Sequence, residues 1–336
     1  MNNFLSKPRV IVATIIGLII VLSIFLVYQQ NSPQPTNKRE KVVIAQTSDF
    51  FLYAPIYIAI DAGYFSNENL DVQLISTGGD EKTWAAVLSG SAQFGVSDPT
   101  FVAISAQHGK PGTIVANIVN GVPFWGVTFR NDIDPIKSSK SLEGYSVATF
   151  PSPSTAYSLQ KKMYMDAGLS PDIKEAGFGT ILAILKAGKA DIGLELEPNV
   201  SRAESEGAKI LYSFSKIYGD FAITGLSTSN ETVLNRPELV GKTVRAIQRS
   251  LNLIHSDPDS CLELLNRRFP EISKTIAKSA FTRVVADKII PLTCITDSIA
   301  WSRAISLRIA IGDLKEISPM SIFVNNHFAN SAIINK

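Results

Sequence analysis

Residues 51–65 read F-L-Y-A-P-I-Y-I-A-I-D-A-G-Y-F, residues 77–84 T-G-G-D-E-K-T-W, and residues 88–99 L-S-G-S-A-Q-F-G-V-S-D-P. Each stretch sits where a β-rich run meets a helical period, with small or polar residues at the turn. Working outward, Val42 to Ala45 is a strand, followed by a helix that opens near Pro55, whose fixed φ suits a first helical turn, and closes at Gly63. Val72 to Ile75 is the next strand. The helix after it starts at Asp80, an expected N-cap, shows Trp84, Val87 and Leu88 on one face, and ends at Gly90. Phe94 to Val96 then runs into the turn Ser97-Asp98-Pro99. Strands alternating with helices predict an α/β fold of βαβ units around a largely parallel sheet.

A second cycle begins after Arg130. Asn131 to Lys140 is a polar loop carrying Pro135, and Ser146 to Thr149 is a strand. Ser152-Pro153 predicts an N-cap followed by proline at the first helical position, opening a helix to Ala167. Ile181, Leu182 and Leu185 mark another helix before Gly188, and Asp191 to Leu194 is a short strand. The last third is helical. Val240, Val244, Ile247, Leu251 and Ile254 recur at helical spacing, and Trp301, Ile305 and Ile309 make a further stripe; both are packing surfaces.

A chain of 336 residues can build two lobes, and 45% hydrophobic with 18% charged residues is ordinary globular composition. Four of the 32 basic and one of the 30 acidic side chains lie in the first 40 residues, leaving 28 basic against 29 acidic. That balance argues against a nucleic-acid partner, which needs a basic face. Val10 to Tyr28 is a run of 19 residues without a charge, about 28 Å as a helix and so near the thickness of a bilayer core. Lys7 and Arg9 precede it, which keeps the N-terminus cytoplasmic and exports the rest. Residues 1–28 are therefore expected to be a cytoplasmic stub and transmembrane anchor or signal. The absence of an A-x-A-like cleavage site favours the uncleaved anchor. Residues 29–40, with Pro33 and Pro35, are the linker. Cys261 and Cys294 can pair in an exported chain or serve as small buried hydrophobes, and both readings stay open.

Candidate site residues lie at the strand ends, where open α/β sheets bind ligands. Asp49, Phe50 and Tyr53 occupy the first junction, though Asp49 can equally be a turn residue and the aromatics core. Gly78-Gly79 lets backbone approach a ligand and is also plain turn chemistry; Ser97-Asp98-Pro99 has the same ambiguity. Ser152 to Tyr157 combines hydroxyls with helix N-terminal amides, a receptor for a polar head group or simply a cap. Glu195 and Glu197 alternate onto one face, where they can accept hydrogen bonds from an amine or amidine, or end a solvated strand. No G-x-S-x-G, P-loop, H-E-x-x-H or G-x-G-x-x-G occurs, and His108, His255 and His327 are scattered. These absences predict a protein that is not an enzyme, with no cofactor and no metal.

The opening block resembles the first lobe of ABC-transporter solute-binding proteins of the alkanesulfonate, taurine, nitrate and thiamine-pyrimidine-precursor group. P-S-P-S-T-A-Y, I-L-K-A-G-K-A-D-I-G and E-P resemble the group's second lobe, and L-N-R-P-E-L-V-G-K-T-V-R-A its return helix. The resemblance covers about residues 41–251. It implies a two-lobed periplasmic-binding-protein fold of the type with two chain crossings, with lobe 1 at 41–128 plus 222–336 and lobe 2 at 129–221. It implies that Asp49, Phe50, Tyr53, Gly79, Asp98, Asn120, Ser152, Ser154, Thr155 and Glu197 line an interlobe cleft. On that reading Asp98→Ala and Glu197→Ala weaken binding and leave the melting temperature nearly unchanged. It further implies an extracytoplasmic, monomeric protein. Exported members of the group are commonly lipoproteins or cleaved periplasmic proteins, so the anchor expected at residues 1–28, which would hold this chain to the cytoplasmic membrane, departs from the group's pattern. Such a protein captures a small organic solute, pyrimidine- or amine-like or sulfonate-like, for an ABC permease. The pocket positions hold no firmly placed basic side chain beyond Lys82, which favours a neutral or cationic heterocycle or amine. The alternatives are the pyrimidine-precursor synthase that shares the fold, whose cysteine-rich motif this chain lacks, and a ligand-sensing module working with a partner receptor.

Overall fold

The structure, a computed structural model, describes residues 39–316 and 318–334, so the apolar run Val10–Tyr28 and most of the linker lie outside the described residues. Among the described residues no helix is long and apolar enough to cross a membrane. The strands are β1 Glu40–Gln46, β2 Leu70–Ser76, β3 Phe94–Ser97, β4 Thr113–Gly121, β5 Trp125–Thr128, β6 Val147–Thr149, β7 Ile173–Glu175, β8 Ile192–Glu195, β9 Lys209–Ser213 and β10 Asp220–Thr228. They form two five-stranded sheets, ordered β2-β1-β3-β10-β4 and β7-β6-β8-β5-β9. The architecture is the two-lobed α/β arrangement, one sheet per lobe.

The sheets are mixed, where the strand–helix alternation predicted largely parallel ones. In the first, β1 pairs parallel with β2 and β3, while β10 runs antiparallel to both β3 and β4. The second repeats the plan: β6 is parallel to β7 and β8, and β5 is antiparallel to β8 and β9. The reason is connectivity. Strands β5 and β10 each enter their sheet from the other lobe, so no crossover helix within the sheet dictates their direction. Sheet membership puts the passages between lobes at residues 122–124 and 214–219, where the sequence partition drew them at 128/129 and 221/222. Nothing in the composition of V-P-F-W-G-V-T marks a change of sheet.

Local chemistry explains the elements. The helix Ala54–Asp61 carries Pro55 in its first turn, and Gly63 beyond it takes the left-handed conformation at φ 77°. The helix Asp80–Leu88 is capped by Gly79, not by Asp80, whose carboxylate accepts a hydrogen bond from Thr47 instead. Likewise Ser154, not Ser152, caps the helix Thr155–Asp166: its hydroxyl accepts from the Tyr157 backbone N–H at 3.3 Å. The helix Pro237–Ser256 buries Val240, Val244, Ile247, Leu251 and Ile254 against the helices Ala54–Asp61 and His327–Ile334. Gly126 is obligatory on β5, because a Cβ there would stand 2.1 Å from the Tyr212 ring on the adjacent β9. Cys261 and Cys294 are both free, buried thiols, and burial pushes the Cys261 thiol up to about 12. The small-hydrophobe reading of the cysteines is the one the structure adopts.

Candidate functional site

The carboxyl ends of β1, β2 and β3 face those of β6, β7 and β8 across a chamber. From the first lobe come Thr47, Phe50, Leu52, Tyr53 and Asp80, with Ile223 and Thr224 of β10; the passage between lobes adds Pro123 and Phe124. The second lobe contributes Phe150 after β6, Ser154 to Ala156, Phe178 after β7 and Leu196 after β8. The cavity they leave is about 50 Å³.

Aromatic rings span the gap. Phe178, 41% exposed at the rim, lies 4.6 Å from Phe150 and 4.9 Å from Phe50, centroid to centroid, so rings of both lobes meet there. Phe50 also meets Tyr53 edge-on at 5.5 Å. The polar part of the wall is acidic and hydroxylic. Thr47 Oγ1 donates to Asp80 Oδ1 at 2.6 Å, and the Asp98 backbone N–H donates to the same oxygen at 3.3 Å. Burial, reinforced by the charge of Asp98, pushes the Asp80 carboxyl up to about 6. No lysine or arginine is among the described residues that line the chamber.

Behind this wall two arginines tie the lobes together. Arg308, on the helix Ser298–Ala310, is fully buried. Its Nη2 donates to Asp98 Oδ2 at 2.8 Å and to Thr155 Oγ1 at 3.2 Å; its Nη1 reaches the Pro153 carbonyl, Ser158 Oγ and, at 2.9 Å, Asp313 Oδ2. The Thr155 hydroxyl donates to Asp98 Oδ2 as well, linking the lobes directly. On the other side Arg283 Nε donates to Glu197 Oε1 at 2.6 Å and Nη2 to Glu204, while Trp125 Nε1 donates to Asp287 at 3.2 Å.

Of the residues singled out in the sequence, Phe50, Tyr53, Ser154 and Thr155 line the chamber. Asp98 stands one layer behind it. Gly79 does not line it but caps the helix whose first residue, Asp80, does. Asp49 is exposed and held by Gln46 Nε2 at 2.5 Å; Ser152 is exposed, its N–H bonded to Glu175. Asn120 lies elsewhere, bonded to Asn117 and Asp220 in a groove with His255 and Pro291. Lys82 is exposed. The two glutamates part ways despite their spacing. Glu197 is spent on Arg283 and on Ser201, whereas Glu195 has one oxygen on the Leu196 N–H and the other buried with the Asn199 side chain nearby but with no hydrogen bond of good geometry among the described residues. Burial holds the Glu195 carboxyl up to about 7. Asp80, Phe124, Phe150, Phe178 and both arginines were missed. Phe150 and Phe178 follow strands β6 and β7, so the strand-end rule, applied evenly, reaches them. Arg308 carries no such signal.

The NMT1/THI5-like family model matches residues 51–261 of the chain. The chain is 22% identical to the putative binding protein YtlA of Bacillus subtilis, over 96% of this chain and 98% of that one. It is 24% identical to the riboflavin-binding protein RibY of Chloroflexus aurantiacus over 65% and 63%, and 23% identical to a 4-amino-5-hydroxymethyl-2-methylpyrimidine phosphate synthase of Aspergillus parasiticus over 70% and 72%. Among solved structures, the periplasmic nitrate-binding protein NrtA of Synechocystis superposes with a TM-score of 0.68 at 12% identity, over 88% of each chain. The alkanesulfonate-binding protein SsuA of Xanthomonas axonopodis, bound to MOPS, does so at 0.62 and 14% identity, over 81% and 91%. At such identities these two share the fold.

Proposed function

The chain belongs to the NMT1/THI5-like family, and from that premise we propose that it is a solute-binding protein, not an enzyme, that closes its two lobes on a small flat heterocycle or amine, neutral or cationic, and delivers it to an ABC permease. The observation that carries this reading is the chamber wall: aromatic rings from both lobes, the Asp80 carboxylate and hydroxyls, with no basic side chain. Rings offer faces for stacking; a carboxylate accepts hydrogen bonds from ring N–H or amino groups, and more strongly from a cation. A sulfonate or nitrate would meet a negative wall. Ligand pockets run to about 300–1,000 Å³, so the roughly 50 Å³ cavity must widen by parting of the lobes at 122–124 and 214–219, a hinge motion. The binding proteins among its relatives and the apolar run Val10–Tyr28 support an extracytoplasmic, membrane-anchored placement, as part of the same proposal.

Native mass spectrometry of the purified protein, then a thermal-shift panel of pyrimidines, other flat heterocycles, amines, sulfonates and nitrate, tests it. One heterocycle or amine per chain, unchanged on incubation, is the expected result, and Asp80→Asn should weaken it by about tenfold or more. Stabilisation by sulfonates or nitrate alone, or chemical conversion of the bound molecule, overturns the proposal.

A further inference from the structure

Arg308 is a fully buried guanidinium beside the chamber, yet it is not in the chamber wall. What stands between is Asp98. Both Asp98 oxygens are occupied: Oδ1 accepts from the Thr100 backbone N–H at 2.8 Å and the Thr100 hydroxyl at 2.6 Å, and Oδ2 accepts from Thr155 Oγ1 and from Arg308 Nη2 at 2.8 Å. A guanidinium, two threonine hydroxyls and a backbone N–H, drawn from both lobes, are the donors that would hold a free carboxylate or sulfonate. Here they hold a carboxylate supplied by the chain.

We propose that Asp98 is a specificity-determining residue: its side chain is a built-in anion that fills an oxyanion-shaped donor set beside the chamber and so closes the site to free anions. Displacing it would cost four hydrogen bonds, two of them to one oxygen shared with a buried charge. The surroundings add to the exclusion, because Asp313 also pairs with Arg308, so two carboxylates already answer one cation, and a third, Asp80, lies against the Asp98 backbone. The inference deepens the heterocycle reading and rests on the chamber being the ligand site. Without the Asp98 side chain the same donors, with Arg308 half-compensated by Asp313, form a pocket for a small anion.

The test is chemical rescue of Asp98→Gly with formate and methanesulfonate, against chloride at matched ionic strength. Formate should raise the melting temperature of Asp98→Gly by about 5 °C at saturation, and methanesulfonate should give a saturable heat by calorimetry. The wild type and the double variant Asp98→Gly/Arg308→Met should show neither. Stabilisation of the wild type by either anion overturns the proposal, as does an Asp98→Gly that treats all three anions alike. If Asp98→Gly does not fold in chloride, refolding from urea in formate takes its place: recovery in formate alone upholds the proposal, and no recovery in any anion overturns it. None of these arms uses the natural ligand. Rescue of Asp98→Gly alongside a wild type that binds no heterocycle would therefore sink the functional reading and leave this one standing, and the converse result would do the opposite.

Discussion

Two arginines cross between the lobes, and their surroundings could hardly differ more. Arg308 is wholly enclosed and answers to two carboxylates, two hydroxyl-bearing residues of the second lobe and a carbonyl. Arg283 keeps 23% of its side chain exposed and joins a buried Glu197 to a half-exposed Glu204. Burial raises both the cost of bringing a charge out of water and the penalty for leaving its partner alone, so the first link is the more brittle. The second has water and Ser201 in reserve. The comparison also changes an expectation: Asp98 and Glu197, expected from the sequence as cleft residues whose loss spares stability, are buried and ion-paired, so truncating either should lower the melting temperature.

The sharpest way to break the comparison is Arg308→Met. It leaves Asp98 buried without its cation and should cost about 3–5 kcal/mol in denaturant unfolding; a loss under about 1 kcal/mol would place Arg308 in the same class as surface pairs.

Next in size is a pH effect in the same stretch as Glu197. Glu195 ionises at about 7 in the fold against an ordinary 4.5, so between those values the folded chain holds a proton that the unfolded chain has released. Stability contributed by the protonated form is present at low pH and is lost as pH rises through about 7. Glu195→Gln does not titrate. It should therefore gain on the wild type with rising pH, by up to about 3 kcal/mol at pH 8, and the two should converge near pH 4.5. A gap that stays flat across that range would mean that water or Asn199 satisfies the carboxylate.

The smallest effect is Arg283→Met. Glu197 retains the Ser201 N–H at 3.0 Å and hydroxyl at 2.8 Å, so the loss should be about 1–2 kcal/mol and should shrink with added salt, unlike that of Arg308→Met. Equal losses for the two arginines would erase the distinction.

How much of this was legible follows from the range of each interaction. The β1, β2 and β3 junctions could be read because a βαβ unit is local: strand, turn and helix follow one another within some 20 residues, and Pro55, Gly63 and Gly90 punctuate them. The caps fall one or two residues from Asp80 and Ser152, since packing decides which side chain finds a helix N–H: Ser154 does, while the Asp80 carboxylate is taken by Thr47 and leaves Gly79 at the cap. Antiparallel β5 and β10 escaped notice because direction is decided by which sheet receives a strand. Phe150 and Phe178 lie at strand ends that the sequence marks, but an aromatic there has the same pattern as a core residue, whereas hydroxyls at a helix start stand out.

Residue order by itself determined the α/β alternation, the apolar N-terminal run, the family and the strand ends from which a site would be built, because hydrophobic period, turn chemistry and capping act over a few residues. Only the tertiary structure decided which charges are spent. Asp98 meets Arg308 across 210 positions and Glu197 meets Arg283 across 86. No local pattern distinguishes a carboxylate awaiting a ligand from one already neutralised, because pairing and burial are properties of the packed chain.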